Sequence, residues 1–547
     1  MDLFLRILLL LISFFVPFAF AGAEPWAFSV LQGGVCVLLA GVLFGRRTLY
    51  LTPLFKWAFY ILGILILYTL IQCICTQTLL MPPAPYPATL MRLYSLEHAS
   101  WFVTYLAWVF VVMQLEDTSK HIGRAVGGLI LCAVLVALCA FCFGKEEYIQ
   151  AWTGIARGFG PFLNRNHGGI FLAGGAVLCL GWVSAAFAAP EYKNKKLFWV
   201  RQFWGLATAV GLGVAAVFSR SRGGMLSLAV GIFSFAFWGA LYLPNGWKKR
   251  LRWLVLIGVA LGGSVQWTFA HLDAINTFAR RSRQGFSVQT RRMLYRAAGE
   301  MWRDYTWWGI GVGALPVVVT SYTDKPLRRY VDRLHSDWLE MAVGLGSVGS
   351  GLVLLGLGGF AVVVLRRFRY LKAVKKIKLA ALLSTLLVIC TGALADFPFF
   401  IPATALLFFW MVGLSCSPSF WKERITHWVP GLYVRLLILA VLWAACVVPL
   451  QNTLAWRMFV FGKNRQFETR IRYYQQGLAH YPSPHFALRL GNAYYNASQR
   501  TSDPAEKTRL LGLAHQTAAD YLRQYPREKE LSRLYMLSRC PADEICK

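Results

Sequence analysis

Apolar runs of about 20 residues, long enough to cross a bilayer as a helix, recur along this 547-residue chain as far as residue 450 and then stop. Thirteen such runs fall near residues 3–22, 26–44, 57–75, 99–115, 125–143, 167–188, 203–218, 223–243, 253–270, 338–365, 379–395, 402–416 and 431–450. A backbone in hydrocarbon must satisfy its own hydrogen bonds, which a helix does within one segment. The pattern predicts an all-α polytopic membrane protein of about 12–14 transmembrane helices, with a transmembrane domain over 1–450 and a polar tail over 451–547. Composition agrees, because 57% hydrophobic and 15% charged residues exclude an ordinary soluble domain. The first run ends in AFAGAE, a small-residue site of the signal-peptide kind, but its apolar stretch exceeds a usual signal core and is read as a retained span. Ten of the twelve cysteines lie in or beside spans, where a thiol behaves as a small hydrophobe; Cys540 and Cys546 offer a pair only in an oxidising compartment.

A net charge of +31 suggests nucleic acid until the basic residues are placed. They gather in alternate connections: Arg46, Arg47 and Lys56; Lys120 and Arg124; Lys193, Lys195, Lys196 and Arg201; Lys248, Lys249, Arg250 and Arg252; and RRFRYLKAVKKIK over 366–378. Short cytoplasmic loops collect Lys and Arg, so these connections define the cytoplasmic face of a bacterial inner membrane and no nucleic-acid partner is needed. The N-terminus is then cytoplasmic and the tail periplasmic. The long loop over about 271–337 faces outward yet carries Arg280, Arg281, Arg283, Arg291, Arg292, Arg296, Arg303, Lys325, Arg328, Arg329 and Arg333. Long loops cross regardless of charge. Their cluster fits anionic headgroups, at roughly 1 kcal/mol per basic residue near the surface, or a specific anionic ligand at the membrane boundary.

Within that loop, residues 288–305 read as a helix with Arg292, Arg296 and Arg303 on one side and Met293, Leu294, Ala297, Ala298 and Met301 on the other, suited to lying along the interface. Glu300 is placed to pair with Arg296 or Arg303. GIGVG (309–313) follows no strand, so it reads as a flexible turn and not as a dinucleotide loop. After residue 450, two or three short helices with Leu, Gly, Ala and Tyr before YP resemble tetratricopeptide repeats, with fewer than three full repeats present. Such a tail serves either as a platform for a protein partner, through 455–547, or as a cap packed on the membrane body.

Four polar constellations interrupt apolar sequence, and the topology puts all four on the outward side. They are GPFLNRNHGGIF (160–171), with Asn164, Asn166 and His167; FSRSRGGMLSL (218–228), where Ser219, Arg220, Ser221 and Arg222 form a whole connection; the Arg-rich loop; and DRLHSDWLEMAVGLGSVG (332–349), with His335 ahead of a span. An Arg at span depth costs roughly 2.5–3.5 kcal/mol on insertion scales. Snorkelling accounts for one such residue near a helix end, and less well for several on one face. Guanidinium forks suit phosphate, and a diphosphate is the most economical common ligand. An imidazole titrates near pH 6.5, so His335 is a candidate general base, although an interfacial His is usually structural. Asp396 in ADFPFFIPA can orient an Arg or the His, or is simply a helix-end carboxylate beside a proline turn. Zinc-type spacing, paired glycosidase carboxylates and a phosphate-binding lysine loop are all absent from the sequence, so the expected chemistry is metal-independent transfer without a cofactor.

In this order the motifs NRNHGG, SRSRGG, RRMLYRAAGEMW with GIGVGALP, HSDWLEMAVGLGSVG and DFPFFIPA resemble the O-antigen ligase and polymerase superfamily over about residues 150–415. The resemblance implies an all-helical fold with a large periplasmic loop, and metal-free inverting transfer of a glycan from undecaprenyl diphosphate to an acceptor hydroxyl on lipid A core, another surface glycan or a protein. It implies that Arg222 first and Arg220 second, with Arg291 or Arg292, bind the diphosphate, and that His335 acts as base or positioning group. A chain polymerase and a protein O-oligosaccharyltransferase belong to the same superfamily. A transporter would place polar residues at mid-span in both halves. One departure is TWWGIGVG, where a small residue or proline often precedes the glycines.

Overall fold

The computed structural model describes residues 1–76, 83–142, 158–188, 195–242, 288–323, 331, 333–463, 465–523 and 529–538. It is all-α and polytopic. Its helices are α1 (Asp2–Phe18), α2 (Pro25–Gly45), α3 (Pro53–Ile74), α4 (Arg92–Leu115), α5 (Ser119–Cys142), α6 (Arg165–Phe187), α7 (Lys195–Phe218), α8 (Arg222–Tyr242) and α9 (Val288–Asp304). They continue with α10 (Asp337–Phe368), α11 (Ala373–Gly392), α12 (Pro402–Ser415), α13 (Leu432–Gly462), α14 (Phe467–His480), α15 (Pro484–Ser498), α16 (Pro504–Leu522) and α17 (Lys529–Leu537).

Among the described residues, ten helices have the length and apolarity to cross a membrane. Two more described helices pack in the bundle: α1, with 17 residues, and α11, which carries Lys375, Lys376 and Lys378 in its first two turns. The run near 253–270 lies outside the described residues, as do Arg280, Arg281, Arg283, Lys325, Arg328, Arg329, Cys540 and Cys546.

The bundle centre is α12 and α6, with 94% and 72% of their apolar spans buried. Helix α6 packs on α7, α8 and α11. Small residues permit this close approach: a Cβ on Gly181 of α6 would lie 2.1 Å from the Cβ of Ala381 on α11. Among the described residues, the basic connections near Arg46, Lys120 and Arg367 meet at one end of the bundle. There β1 (Leu49–Leu51) pairs antiparallel with β2 (Thr426–Trp428), Arg435 donates to the carbonyls of Leu43, Arg46 and Arg47, and Arg367 donates to Phe420 (2.6 Å). Cations at these helix ends satisfy carbonyls that have no partner within their own helix.

Helix α13 does not stop at the expected 450/451 boundary. Its 31 residues span about 46 Å at 1.5 Å per residue, more than a ~30 Å hydrocarbon core, so its last turns leave the bundle and carry the tail. Helices α14 to α17 stack as successive hairpins around Tyr474, Phe486, Leu490, Leu510 and Ala514. Ser483 and Asp503 cap α15 and α16 by accepting N–H bonds from Phe486 and Ala505. The tail also docks on the body, where the Tyr481 hydroxyl donates to Glu97 (2.6 Å).

Candidate functional site

The site forms at the other end of the bundle, where α6 and α10 begin and α11 ends. Asn164 caps α6, its Oδ1 accepting the Asn166 N–H at 2.9 Å. That cap fixes the first turn, so Asn166 and His167 face the loop between α11 and α12. There Asp396 is buried, 2% exposed, and its Oδ1 lies 3.4 Å from both His167 Nε2 and His335 Nδ1. Asn166 Nδ2 donates to Oδ2 at 2.5 Å, and the Phe397 N–H donates to Oδ1 at 3.1 Å. Burial pushes this carboxyl up, but the two imidazoles, with His167 the stronger influence, outweigh burial and hold it well below the usual carboxylate range. The Phe397 ring packs against both histidines, 4.6 Å from His167 and 5.1 Å from His335.

His335 has φ +58, a left-handed conformation that costs a residue with a Cβ roughly 1–2 kcal/mol. Its surroundings enforce it. Ser336 caps α10, the Asp337 N–H donates to the carbonyls of Ala393 (3.0 Å) and Asp396 (3.2 Å), and the Tyr295 hydroxyl of α9 donates to the His335 carbonyl (3.0 Å).

The hairpin joining α7 to α8 sits on the first turn of α6. Arg220 takes φ +54, and Ser221 caps α8 by accepting the Gly224 N–H at 3.0 Å. A Cβ on Gly169 would lie 2.4 Å from Ser219 Oγ, and one on Gly224 would lie 3.0 Å from the backbone of Gly169. Gly169 of NRNHGG and Gly224 of SRSRGG therefore meet face to face, which sets the hairpin that carries Arg220 and Arg222 against the first turn of α6. Arg222 is exposed and Arg220 is half-buried. Gly169→Ala is expected to force this contact apart at a cost of about 1–3 kcal/mol, read as a lowered melting temperature in detergent; an unchanged melt would show that the hairpin is not held by this approach.

Helix α9 separates its arginines. Tyr295 follows Arg291 by four residues and so shares its face; Arg291 draws the Tyr295 hydroxyl down while burial, the larger influence, and Asp396 raise it. Arg292, Arg296 and Arg303 are exposed, and Arg296 pairs with Glu300 at 3.3 Å. The apolar side of α9 does not meet lipid as expected. Leu294, Ala297, Ala298 and Met301 are buried against Met91, Ile310, Leu315 and Val318 of the same chain, which offers a better-fitting apolar surface than a headgroup layer.

GIGVG is a turn, but a pinned one. Ile310 and Gly311 donate N–H bonds to Val343 (3.0 Å) and Gly344 (3.2 Å), carbonyls released where α10 breaks at Gly346 (φ +65). Such groups at membrane depth need partners from the protein. Arg333, from the same basic loop, is paired with Glu340 (2.9 Å) and lies 3.7 Å over the Phe400 ring.

Of the residues singled out by sequence, Asn166, His167, His335 and Asp396 thus share one contact network, Arg291 reaches it through Tyr295, and Arg220 and Arg222 flank it. Asn164 is a helix cap, and Arg292 lies on the outer face of α9. Sequence reasoning missed Tyr295, whose signal is its spacing from Arg291, and Phe397, which has no distinguishing signal among its aromatic neighbours.

Residues 207–354 match the family model described as O-antigen ligase. This stretch includes the Arg220–Arg222 hairpin, α9 and His335, while His167 and Asp396 lie outside it. No curated protein matches the chain. The likeness of this chain to the O-antigen ligase superfamily is thus carried by residues 207–354.

Proposed function

We propose that this protein transfers a glycan from undecaprenyl diphosphate to an acceptor hydroxyl, such as one on lipid A core, at the periplasmic surface of a bacterial inner membrane. The observation that carries the reading is the convergence of Asp396, two histidines and the Arg220–Arg222 hairpin at one end of the bundle. A hydroxyl oxygen attacks the anomeric carbon with inversion and forms the new C–O bond. The bond from that carbon to the diphosphate oxygen breaks, and its electron pair leaves with the polyprenyl diphosphate. Arg222, Arg220 and Arg291 offset the charge on that leaving group, as does the N-terminus of α8, where the helix dipole favours anions. With its N–H at Nδ1 turned to Asp396, His335 takes the hydroxyl proton on Nε2. The reaction is metal-independent in this reading.

The lipid has a natural berth. A cavity of about 570 Å³, walled by Leu62, Tyr105, Trp238, Leu357 and Leu386 and reaching Asp337, runs between the helices from the site end toward the opposite end. Its apolar walls suit an isoprenoid chain.

Purified protein with a lipid-linked donor should release transferred glycan, with or without a chelator. Because hydrogen bonds to charged groups contribute about 1.5–3 kcal/mol, Arg222→Ala and Arg291→Ala are each expected to lower kcat/KM for the donor by about 10- to 100-fold, whereas Arg292→Ala stays within about twofold. Equal losses at Arg291 and Arg292 would refute the assignment of the phosphate-binding face. A chain polymerase or a protein O-oligosaccharyltransferase would use the same chemistry. Deletion strains separate them, since loss of a polymerase leaves single repeat units on the acceptor and loss of a ligase strands polymer on the lipid carrier.

A further inference from the structure

Beneath the tail lies a second chamber, of about 330 Å³, between α2, α4, α13 and the loop joining α14 to α15. That size falls in the ~300–1,000 Å³ range of small-molecule sites. Its construction is unlike the apolar cavity next to it. Glu97 of α4 accepts from Tyr481 (2.6 Å) and from Asn452 (3.0 Å), and Glu24 accepts from the indole of Trp456. Each carboxylate thereby ties the membrane body to α13 or the tail, and each also lines the chamber. Trp101, Trp456 and Tyr94 add aromatic walls.

Resting on the glycan-transfer reading above, we propose that this chamber is a saccharide site that presents the acceptor sugar's hydroxyl to His335, with the tail supplying part of its wall. Aromatic faces beside carboxylates and a carboxamide match the alternating C–H faces and hydroxyls of a pyranose. The single guanidinium in the wall, Arg333, is paired with Glu340, so an anionic occupant gains little here and neutral sugars are favoured. Two buried wall nitrogens, His98 Nε2 and Trp101 Nε1, have no hydrogen-bond partner among the described residues, a deficit that a hydroxyl-rich occupant can remedy. Position favours the acceptor over the donor sugar. Phe397, packed on His335, is part of the wall, whereas Arg220, Arg222 and Arg291 are not. An inverting displacement needs its nucleophile and its leaving group on opposite sides of the anomeric carbon, and a chamber that shares the Phe397 ring with His335, and whose wall includes none of those three arginines, lies on the nucleophile's side. His98, Trp101, Gly313 and Phe400 line both this chamber and the apolar cavity, so acceptor and donor chain would flank one shared wall.

The test is saturation-transfer NMR on the full-length protein with the methyl glycosides of glucose, galactose and N-acetylglucosamine, and methyl glucuronide as the anionic control. At least one neutral glycoside is expected to bind both wild type and His335→Asn, more tightly than the glucuronide, and to bind Trp456→Ala and Asn452→Ala at least about 10-fold more weakly. Melting temperatures establish that these variants fold; Asn452→Ala, the smaller truncation, stands in if Trp456→Ala does not. The signal is expected to persist when the protein is saturated with lipid-linked donor. No neutral glycoside binding, or binding unchanged in the folded variants, overturns the site, and displacement by the donor overturns its assignment to the acceptor. Binding in His335→Asn keeps this result independent of whether transfer itself is observed.

Discussion

Replacing His335 with Asn is expected to reduce glycan transfer by about 10²- to 10⁴-fold, the range that general-base help contributes, while leaving membrane insertion and the melting temperature close to wild type. The choice of Asn matters because His335 sits at φ +58. Asn tolerates the left-handed region better than other residues with a Cβ, so the variant keeps the turn into α10 and the Tyr295 bond to the residue 335 carbonyl. A carboxamide can still donate toward Asp396, but it cannot take a proton at neutral pH. The loss should therefore appear in the single-turnover rate with a lipid-linked donor and not in donor binding. An Ala variant would mix loss of the imidazole with about 1–2 kcal/mol of backbone strain. A single-turnover rate within about threefold of wild type in the Asn variant would show that His335 positions groups without carrying the proton.

Hydropathy made the bundle legible because spans are local. The run read near 167–188 is the helix Arg165–Phe187, and that near 402–416 is Pro402–Ser415. What hydropathy does not carry is what covers a surface or what interrupts a helix. The run read near 338–365 is Asp337–Phe368, but with a break at Gly346 that exists to receive GIGVG, and two glycine-rich segments give no local sign that they pair. Periodicity marks Leu294, Ala297, Ala298 and Met301 as one apolar side of α9, yet a periodic pattern reads the same whether lipid or protein covers it. Arg291 and Arg292 stay equivalent in sequence until Tyr295, one turn on, is seen to touch the His335 backbone. The tail joint is further from view, because Glu97 meets Asn452 and Tyr481 across more than 350 residues of chain.

Asp396→Asn is expected to affect both transfer and stability, and the two effects separate by pH. In the folded chain the carboxylate is enclosed by His167, His335 and Asn166. An Asn there keeps the shape but removes the charge that fixes both rings, and loss of a comparable orienting carboxylate lowers rates by as much as about 10⁴-fold in a catalytic triad. Burial raises the Asp396 carboxyl, but the two imidazoles more than offset this, so its folded-state pKa is depressed. A depressed carboxyl stabilises the fold fully above its unfolded value, about 3.9, and that contribution is lost as pH falls toward the folded value. Wild type should therefore melt well above Asp396→Asn at pH 7, and the gap should shrink as the pH is lowered from about 5 to 3, measured by thermal unfolding in detergent. The sign is specific, because a carboxyl kept neutral by burial would have a raised pKa and would weaken the fold as pH rose. A gap that stays constant over this range would mean that Asp396 contributes shape alone, and that the two histidines are held by packing against Phe397 instead of by charge.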